Sequence, residues 1–159
     1  MQGVPAFDYR LEHLFSYRIA WANPPEVIGP TPEGLRVNFH FTGGELHGPR
    51  LTGRIRPVGS DRLVVRPDGV GILDLRATFE TEDGVPIDAP FIGVIDLGEN
   101  GYEDLLQGKL APDGTPFRST PRYQTAHLDY QWLNRLQCVG IGQVFPSQGE
   151  ARCDVYALC

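Results

Sequence analysis

Two ionisable side chains separated by one residue are the clearest candidates for chemistry in this sequence. Asp74 and Arg76 lie in an alternating segment, and side chains two residues apart on a β-strand point to the same side. The planar guanidinium of arginine binds a carboxylate or enolate oxygen, and a buried aspartate with a raised pKa can accept or relay a proton. If this face lines a cavity, the pair predicts acid–base catalysis. If it faces water, the pair is a surface ion pair, and the sequence leaves both interpretations open.

Other residues extend this candidate site. His40 lies in an alternating strand, and an ordinary histidine pKa near ~6.5 suits a general base. Arginines hold anionic oxygens, aspartates cap turns or form pairs at a rim, and tyrosines stack on aromatic ligands or donate phenol hydrogen bonds. We therefore predict catalytic roles for Asp74, Arg76 and His40. We predict substrate contacts for Arg118, Asp61, Arg66, Tyr123 and Tyr130.

Composition narrows the class of function. The 14 basic and 20 acidic residues give a net charge of −6 without a basic run, which argues against binding to nucleic acid. The sequence contains no apolar stretch of about 18 residues, so it predicts no membrane span. No His, Asp or Glu set has metal-ligand spacing, and no glycine-rich segment precedes a helix as in a nucleotide cradle. We expect no metal, no cofactor and no membrane. The cysteines Cys138, Cys153 and Cys159 read as reduced thiols of a cytoplasmic protein.

The elements that must position these residues are predicted to be short β-strands. Leu73, Leu75, Ala77 and Phe79 form the apolar face of one strand, and the 19 glycines and 14 prolines supply turns. A second strand, 35–41, should stop at Gly43-Gly44. Residues 23–32 are predicted to be an extended loop, 103–110 a strand and 126–136 one short helix. Eight to ten strands joined by hairpins favour a closed antiparallel β-barrel, since closure removes exposed edges.

The same residues resemble a known family. The ordered elements are Gly43-Gly44, Gly48-Pro49-Arg50-Leu51, Gly53, Asp61, Arg66-Pro67-Asp68-Gly69, Leu73-Asp74, Arg76, Thr81, Asp83-Gly84, Phe117-Arg118, Pro121, Thr125 and Trp132-Leu133-Asn134. Together they resemble domain-of-unknown-function family 3237 over roughly residues 30 to 158. Arg62 and residues 88–91 depart from the family's pattern, and we expect them near a cavity. The resemblance implies an all-β, up-and-down, lipocalin-like barrel, and it implies little about activity.

We therefore expect a single barrel domain, with residues 1–32 as an N-terminal strand and loop segment and 33–158 as the barrel core. The predicted function is a cofactor-independent lyase, isomerase or cyclase. Its substrate is expected to be a small, partly apolar aromatic or carbonyl compound held in the barrel. The alternative is a non-catalytic barrel that binds a small hydrophobic ligand, because fold alone does not decide function. A homodimer through an outer sheet face is a further expectation.

Overall fold

The structure, a computed structural model, describes Gly3 and residues 6–159 of the chain. Ten strands and one α-helix account for most of the described residues, with two short 3₁₀ segments at Leu128–Arg135 and Pro146–Gln148. The strands are β1 (Leu11–Trp21), β2 (Glu26–Thr31), β3 (Gly34–His47), β4 (Gly53–Ile55), β5 (Ser60–Val65), β6 (Val70–Thr81), β7 (Pro86–Asp96), β8 (Thr115–Ser119), β9 (Cys138–Phe145) and β10 (Glu150–Leu158); the helix is α1 (Gly101–Leu106).

The strands close into an eight-stranded antiparallel barrel. β1 pairs with β10 on one side and with β3 on the other, so the ring has no free edge between its first and last strands. β4 and β5 pair with successive lengths of β3 and β6 and together occupy one position of the ring. β2 pairs with β3 outside the ring. The prediction of a closed up-and-down barrel is confirmed.

Several local predictions are wrong. Residues 103–110 contain α1 instead of a strand, and residues 23–32 contain β2 instead of a loop. β1 (Leu11–Trp21) closes the barrel, so the barrel core does not begin at residue 33 as predicted. Among the described residues, none of the helices has the length and apolar character needed to cross a bilayer.

The Gly43-Gly44 pair does not end β3, because the strand continues to His47. A Cβ atom on Gly44 would overlap the carbonyl oxygen of Arg18 on β1. The missing side chain therefore lets β3 approach β1 closely at the seam where the barrel closes. Gly43-Gly44 resembles the end of a strand in the sequence, but in the structure it allows the barrel to close.

The interior of the barrel is apolar and aromatic. Inward residues of the long strands are buried, including Leu73, Leu75, Ala77 and Phe79 of β6. Phe15, Phe79, Phe91 and Tyr123 form an aromatic cluster with ring centroids 5.5 to 6.1 Å apart. This cluster fills one part of the lumen and leaves space only beyond it.

We predict that Gly44→Ala destabilises the protein by about 3 kcal/mol, since overpacked sites with a backbone neighbour relax poorly. Urea unfolding followed by circular dichroism measures the change. Thr42→Ala is the control, because Thr42 lies on the same strand and is exposed. Equal stability of the two variants would contradict the role of Gly44 in closure.

Candidate functional site

A cavity of about 90 Å³ lies inside the barrel. Its walls are apolar side chains from the barrel strands, and its outer part is lined by partly exposed residues near α1 and the strand connections. The lining residues used below are Tyr17, Ile19, Trp21, Asp61, Leu63, Leu73, Leu75, Leu105, Leu110 and Phe117. Leu110 is exposed, so the cavity reaches the protein surface at this end of the barrel. The aromatic cluster lies at the inner side of the cavity, where Tyr17 contacts it.

Asp61 is the one acidic or basic side chain that lines this cavity in the described part of the chain. β5 alternates so that Asp61, Leu63 and Val65 are buried while Arg62 is exposed. Only 9% of Asp61 is exposed, and it lies opposite Phe39 of β3 and Leu75 of β6. The strand pairing therefore places a carboxyl group among apolar walls.

Among the described residues, a single hydrogen bond supports the Asp61 carboxyl group. The backbone N–H of Asp74 donates to Oδ1 of Asp61 at 3.1 Å. β5 and β6 pair at Ser60 and Asp61 and again at Val64 and Val65, and the ladder is interrupted between these pairs. This interruption frees the Asp74 N–H for the side chain of Asp61.

Burial raises the pKa of Asp61 from 3.8 to about 7. The hydrogen bond from the Asp74 backbone is the next largest influence on this pKa and lowers it. The charge of the Asp74 side chain raises it, and the charge of Arg36 lowers it. A carboxyl group with this pKa exists in both protonation states near neutral pH. It therefore can both accept and donate a proton in the cavity.

Tyr17 is a buried polar residue that lines the cavity, and its side chain is 4% exposed. Its hydroxyl oxygen is itself inaccessible and lies beside the thiol of Cys153. Burial raises the pKa of Tyr17 well above 10, and the nearby Cys153, Tyr123 and Asp61 raise it further. The phenol is therefore a hydrogen-bond donor throughout the range in which Asp61 titrates.

The structure decides the open question about Asp74 and Arg76, and both side chains lie on the outer face of β6. Nε of Arg76 lies 3.2 Å from Oδ1 of Asp74, and the Arg76 side chain is 69% exposed. The opposite face of β6 carries the larger apolar side chains, and these fill the lumen. Burying Asp74 and Arg76 there instead would require the free energy of removing two charges from water. Of the two interpretations that the sequence leaves open, the structure shows the surface ion pair, and the catalytic roles predicted for this pair in the lumen lack support. Asp74 reaches the site only through its backbone N–H.

Most of the other predicted site residues also lie outside the cavity. His40 points away from the lumen, with Nε2 3.3 Å from Oε1 of Glu26. Arg118 is exposed and donates to the backbone carbonyl of Phe117. Two further predicted contacts, Arg66 and Tyr130, bind neighbouring carboxylates at the surface.

Those two surface contacts have simple geometry. Arg66 donates twice to Asp68, with distances of 3.1 and 2.8 Å, instead of pairing with Asp61. The phenol of Tyr130 donates to Asp83 at 2.7 Å. Tyr123 lies inside the barrel, but its ring belongs to the aromatic cluster and does not line the cavity. Of the predicted residues, the structure brings only Asp61 to the cavity wall.

Sequence reasoning missed Tyr17, although a signal was present. Phe15, Tyr17, Ile19 and Trp21 alternate with less buried residues along β1. That period of two predicts one inward face, but Leu11, Leu14 and Phe15 also fit the spacing of a short helix. Among the described residues, no group of three His, Cys, Asp or Glu side chains has the geometry to hold a metal ion.

Comparison with known proteins agrees with the resemblance. The family described as "Protein of unknown function (DUF3237)" matches residues 9–158. The chain belongs to this family. The match begins earlier than the residues that first indicated it and includes β1 and β2.

Relatives in the family are themselves described without a function. A UPF0311 protein of Rhodopseudomonas palustris is 31% identical over 138 residues, which cover 86% of this chain and 88% of the relative. A UPF0311 protein of Bradyrhizobium diazoefficiens is 32% identical over 133 residues, which cover 82% and 84%. These relatives establish the family and leave the activity open.

Solved structures show the same barrel. A β-barrel-like protein of Acinetobacter baumannii has a TM-score of 0.82 and 30% identity, covering 99% of this chain and 100% of the other. A structure described as an enzyme from Penicillium herquei has a TM-score of 0.72 and 18% identity, with coverage of 99% and 100%. At this identity the second likeness shows the fold alone.

We predict that the contribution of Asp61 to stability falls as pH rises from about 4 to about 7, because Asp61 binds a proton more tightly in the folded state than in the unfolded state. The contribution present at low pH is lost as pH passes through the folded pKa. Between pH 5 and pH 8 the loss is roughly 2 to 3 kcal/mol. Urea unfolding of the wild type and of Asp61→Asn at both pH values measures it.

The Asp61→Asn protein lacks this group, so its stability is expected to fall less over the same pH range. Asp88→Asn is the matched control, because Asp88 is exposed on β7. The Asp88 variant should follow the wild type. Parallel pH curves for the wild type and Asp61→Asn would contradict the burial of a titrating carboxyl group in the cavity.

Proposed function

We propose that the protein is a cofactor-independent enzyme of the lyase, isomerase or cyclase class, in which Asp61 moves a proton of a small, partly apolar substrate. The observation that carries the proposal is the buried Asp61 carboxyl group, with a pKa of about 7, in an otherwise apolar cavity. Active sites concentrate such displaced pKa values, and a general acid or base works best with a pKa near the working pH.

The surroundings of Asp61 suit proton transfer. In the carboxylate form it accepts a proton from a C–H or O–H group of the substrate, and in the acid form it returns the proton elsewhere on the molecule. The Asp74 N–H stabilises the carboxylate through both steps. Leu63, Leu73 and Leu75 exclude water around the reacting atoms.

The size of the cavity limits the substrate. Pockets for drug-sized ligands measure roughly 300 Å³ or more. The 90 Å³ space within this barrel therefore favours a compact molecule such as a single ring with one or two oxygen substituents. The apolar walls favour an uncharged substrate.

A binding barrel without catalysis is the second candidate. Its support is that the cavity walls are almost entirely apolar, which suits a protein that carries or sequesters a hydrophobic molecule. The two candidates differ in one respect. A carrier does not exchange protons with its ligand, whereas the proposed enzyme does.

We also propose that the protein forms a homodimer through an outer face of the barrel. Ile72, Val94, Arg118 and Ile141 are neighbours in one row across β6 to β9, and Ile92 lies beside them with 60% exposure. Asp74 lies across from Ile92, and Arg118 has no carboxylate partner among the described residues. A two-fold axis through this face would place Asp74, which pairs with Arg76 within one copy, near Arg118 of the other copy, so that charges of opposite sign would face each other.

The cysteines support a reducing compartment such as the cytoplasm. Cys138, Cys153 and Cys159 are all free thiols. Burial raises the pKa of Cys138 to about 11 and that of Cys153 to about 12, which keeps both as unreactive thiols. We therefore propose structural roles for these two cysteines.

We predict that the protein catalyses hydrogen–deuterium exchange into a small carbonyl or hydroxy-aromatic compound in D₂O, and that Asp61→Asn slows this exchange by about 100-fold or more. Proton NMR of a panel of such compounds detects the exchange directly, whatever the complete reaction is. Asp88→Asn is the control, because Asp88 is exposed on β7 and does not line the cavity. Exchange at the wild-type rate in Asp61→Asn would refute the catalytic role. Binding without exchange in the wild type would favour the carrier.

We predict that Ile92→Glu weakens the proposed dimer, because it places a charge in the centre of the dimer face. Dimer dissociation should become at least about tenfold more favourable, because an unpaired carboxylate would be desolvated. Sedimentation velocity over a range of concentrations measures the dissociation constant. Leu128→Glu, at an exposed position on the 3₁₀ segment, should behave like the wild type. A monomeric wild type at about 100 µM, in the range of weak interfaces, would contradict the proposal.

A further inference from the structure

The polar groups of the cavity are few and lie at different depths. Of the described side chains that line it, three carry a hydroxyl, carboxyl or amide group: Tyr17, Asn23 and Asp61. The hydroxyl of Tyr17 is inaccessible beside the thiol of Cys153, so it is not available to a ligand. Asp61 is 9% exposed, whereas Asn23 is exposed. A molecule in this apolar space therefore has a carboxyl group near its buried end and a side-chain amide near its open end.

The pairing of β1 with β3 places Asn23 beside Phe39 of the cavity wall. Trp21 points inward at the end of β1, and Asn23 is the next residue in the same period of two. Trp21 pairs with Phe41, and the backbone N–H of residue 22 donates to the carbonyl oxygen of residue 40 at 2.8 Å. The next pair in this antiparallel register is Asn23 and Phe39.

Phe39 lies between the two accessible polar groups. On its other side β3 pairs with β5, and Phe39 is opposite Asp61. Neighbouring strands are about 4.8 Å apart, so the backbones of Asp61 and Asn23 are separated by roughly 10 Å across Phe39. A benzene ring with polar substituents at opposite ends, and a hydrogen bond at each end, has about this length.

The turn between β9 and β10 holds Asn23 in position. The backbone N–H of Trp21 donates to the carbonyl oxygen of Gly149 at 3.0 Å, which ties the end of β1 to this turn. A Cβ atom on Gly149 would overlap Nδ2 of Asn23, so the glycine makes room for the amide. A polar group that is held before binding loses little conformational entropy when a ligand binds to it.

We infer that the substrate is a single-ring carbonyl compound with a second hydrogen-bonding substituent, such as a hydroxyl group, at the opposite end of the ring, and that Asn23 binds this substituent. The inference rests on the proposed function, because it places the reacting end of the substrate at Asp61. The apolar walls enclose the ring between the two residues. Asn23 thus determines specificity and orients the substrate, and it takes no part in proton transfer.

The test compares acetophenone with 4′-hydroxyacetophenone, which differ only in the hydroxyl group at the far end of the ring. Both are titrated into the wild type and its variants, with binding followed by NMR. The wild type should prefer the hydroxy compound by about fivefold, as one neutral hydrogen bond gives. Asn23→Leu should reduce this preference to near one. Asn100→Leu is the matched control and should retain it, because Asn100 is exposed beside α1 and does not line the cavity.

A second variant keeps the test independent of folding. Asn23→Ser retains a polar side chain but shortens it, so it should also lose the preference for the hydroxy compound. The melting temperatures of both variants should match that of the wild type, because Asn23 is exposed. An unchanged preference in a folded Asn23 variant would overturn the inference. A preference that disappears in Asp61→Asn and persists in Asn23→Leu would overturn it as well, because the hydroxyl group would then lie at the buried end.

The outcomes also distinguish the inference from the proposed function. Asp61→Asn should keep the preference for the hydroxy compound and lose only proton exchange. If the preference depends on Asn23 while the wild type exchanges no proton, the role of Asn23 in binding stands and the catalytic role of Asp61 fails. If exchange depends on Asp61 while the preference does not depend on Asn23, the proposed function stands and the inference fails. Failure of the wild type to bind either probe at millimolar concentration would overturn both.

Discussion

The desolvation of one carboxyl group is the constraint on which the candidate site depends. Asp61 lies inside a closed barrel whose other buried walls are apolar, and one backbone N–H is its only hydrogen-bond donor among the described residues. The barrel has few ways to solvate a negative charge there, so the proton is held to a pKa of about 7. Three features of the fold determine the surroundings of this carboxyl group: closure of the barrel, packing of the aromatic cluster and the interrupted β5–β6 ladder. They exclude water from it and leave it a single stabilising contact.

The two faces of β6 show how the barrel separates its polar groups. Asp74 and Arg76 remain hydrated and pair with each other at the surface, where an exposed ion pair adds little stability and costs little. The backbone between Leu73 and Leu75 turns its N–H towards Asp61. Asp74 therefore donates its backbone N–H to Asp61 at the cavity, while its side chain pairs with Arg76 on the outer surface. The same residue lowers the pKa of Asp61 through its N–H and raises it through its charge.

Parts of this arrangement can be predicted from the sequence and parts cannot. The alternation in β6 predicts a strand with one apolar face, and many short strands predict a closed barrel. Which side of β6 faces inward follows from packing against β5 and β7, which a single strand does not reveal. Asp61 follows Gly59-Ser60 and resembles a turn residue, and its burial depends on its partners Phe39 and Leu75, which are far away in sequence.

The local errors have the same origin. Gly43-Gly44 resembles a strand terminator until β1 is placed against β3, and residues 103–110 resemble a strand because Leu105, Leu106 and Leu110 are apolar. Two of these leucines line the outer part of the cavity, so their apolar character serves the barrel opening instead of a sheet. The burial of the Tyr17 hydroxyl beside Cys153 is equally invisible in the sequence, because it depends on the pairing of β1 with β10.

The protonation of Asp61 links the identity of the ligand to the pH dependence of its affinity. A ligand without a donor excludes the remaining water from Asp61 and disfavours the carboxylate, so it binds more tightly when Asp61 is protonated and more weakly above pH 7. A ligand that donates a hydrogen bond to Asp61 stabilises the carboxylate and shows the opposite trend. A carbonyl compound with only a C–H group facing Asp61 belongs to the first class. Tight binding and the reactive form of Asp61 are then favoured at opposite ends of the pH range. Turnover is therefore expected to reach its maximum near the pKa of Asp61, where both forms are populated.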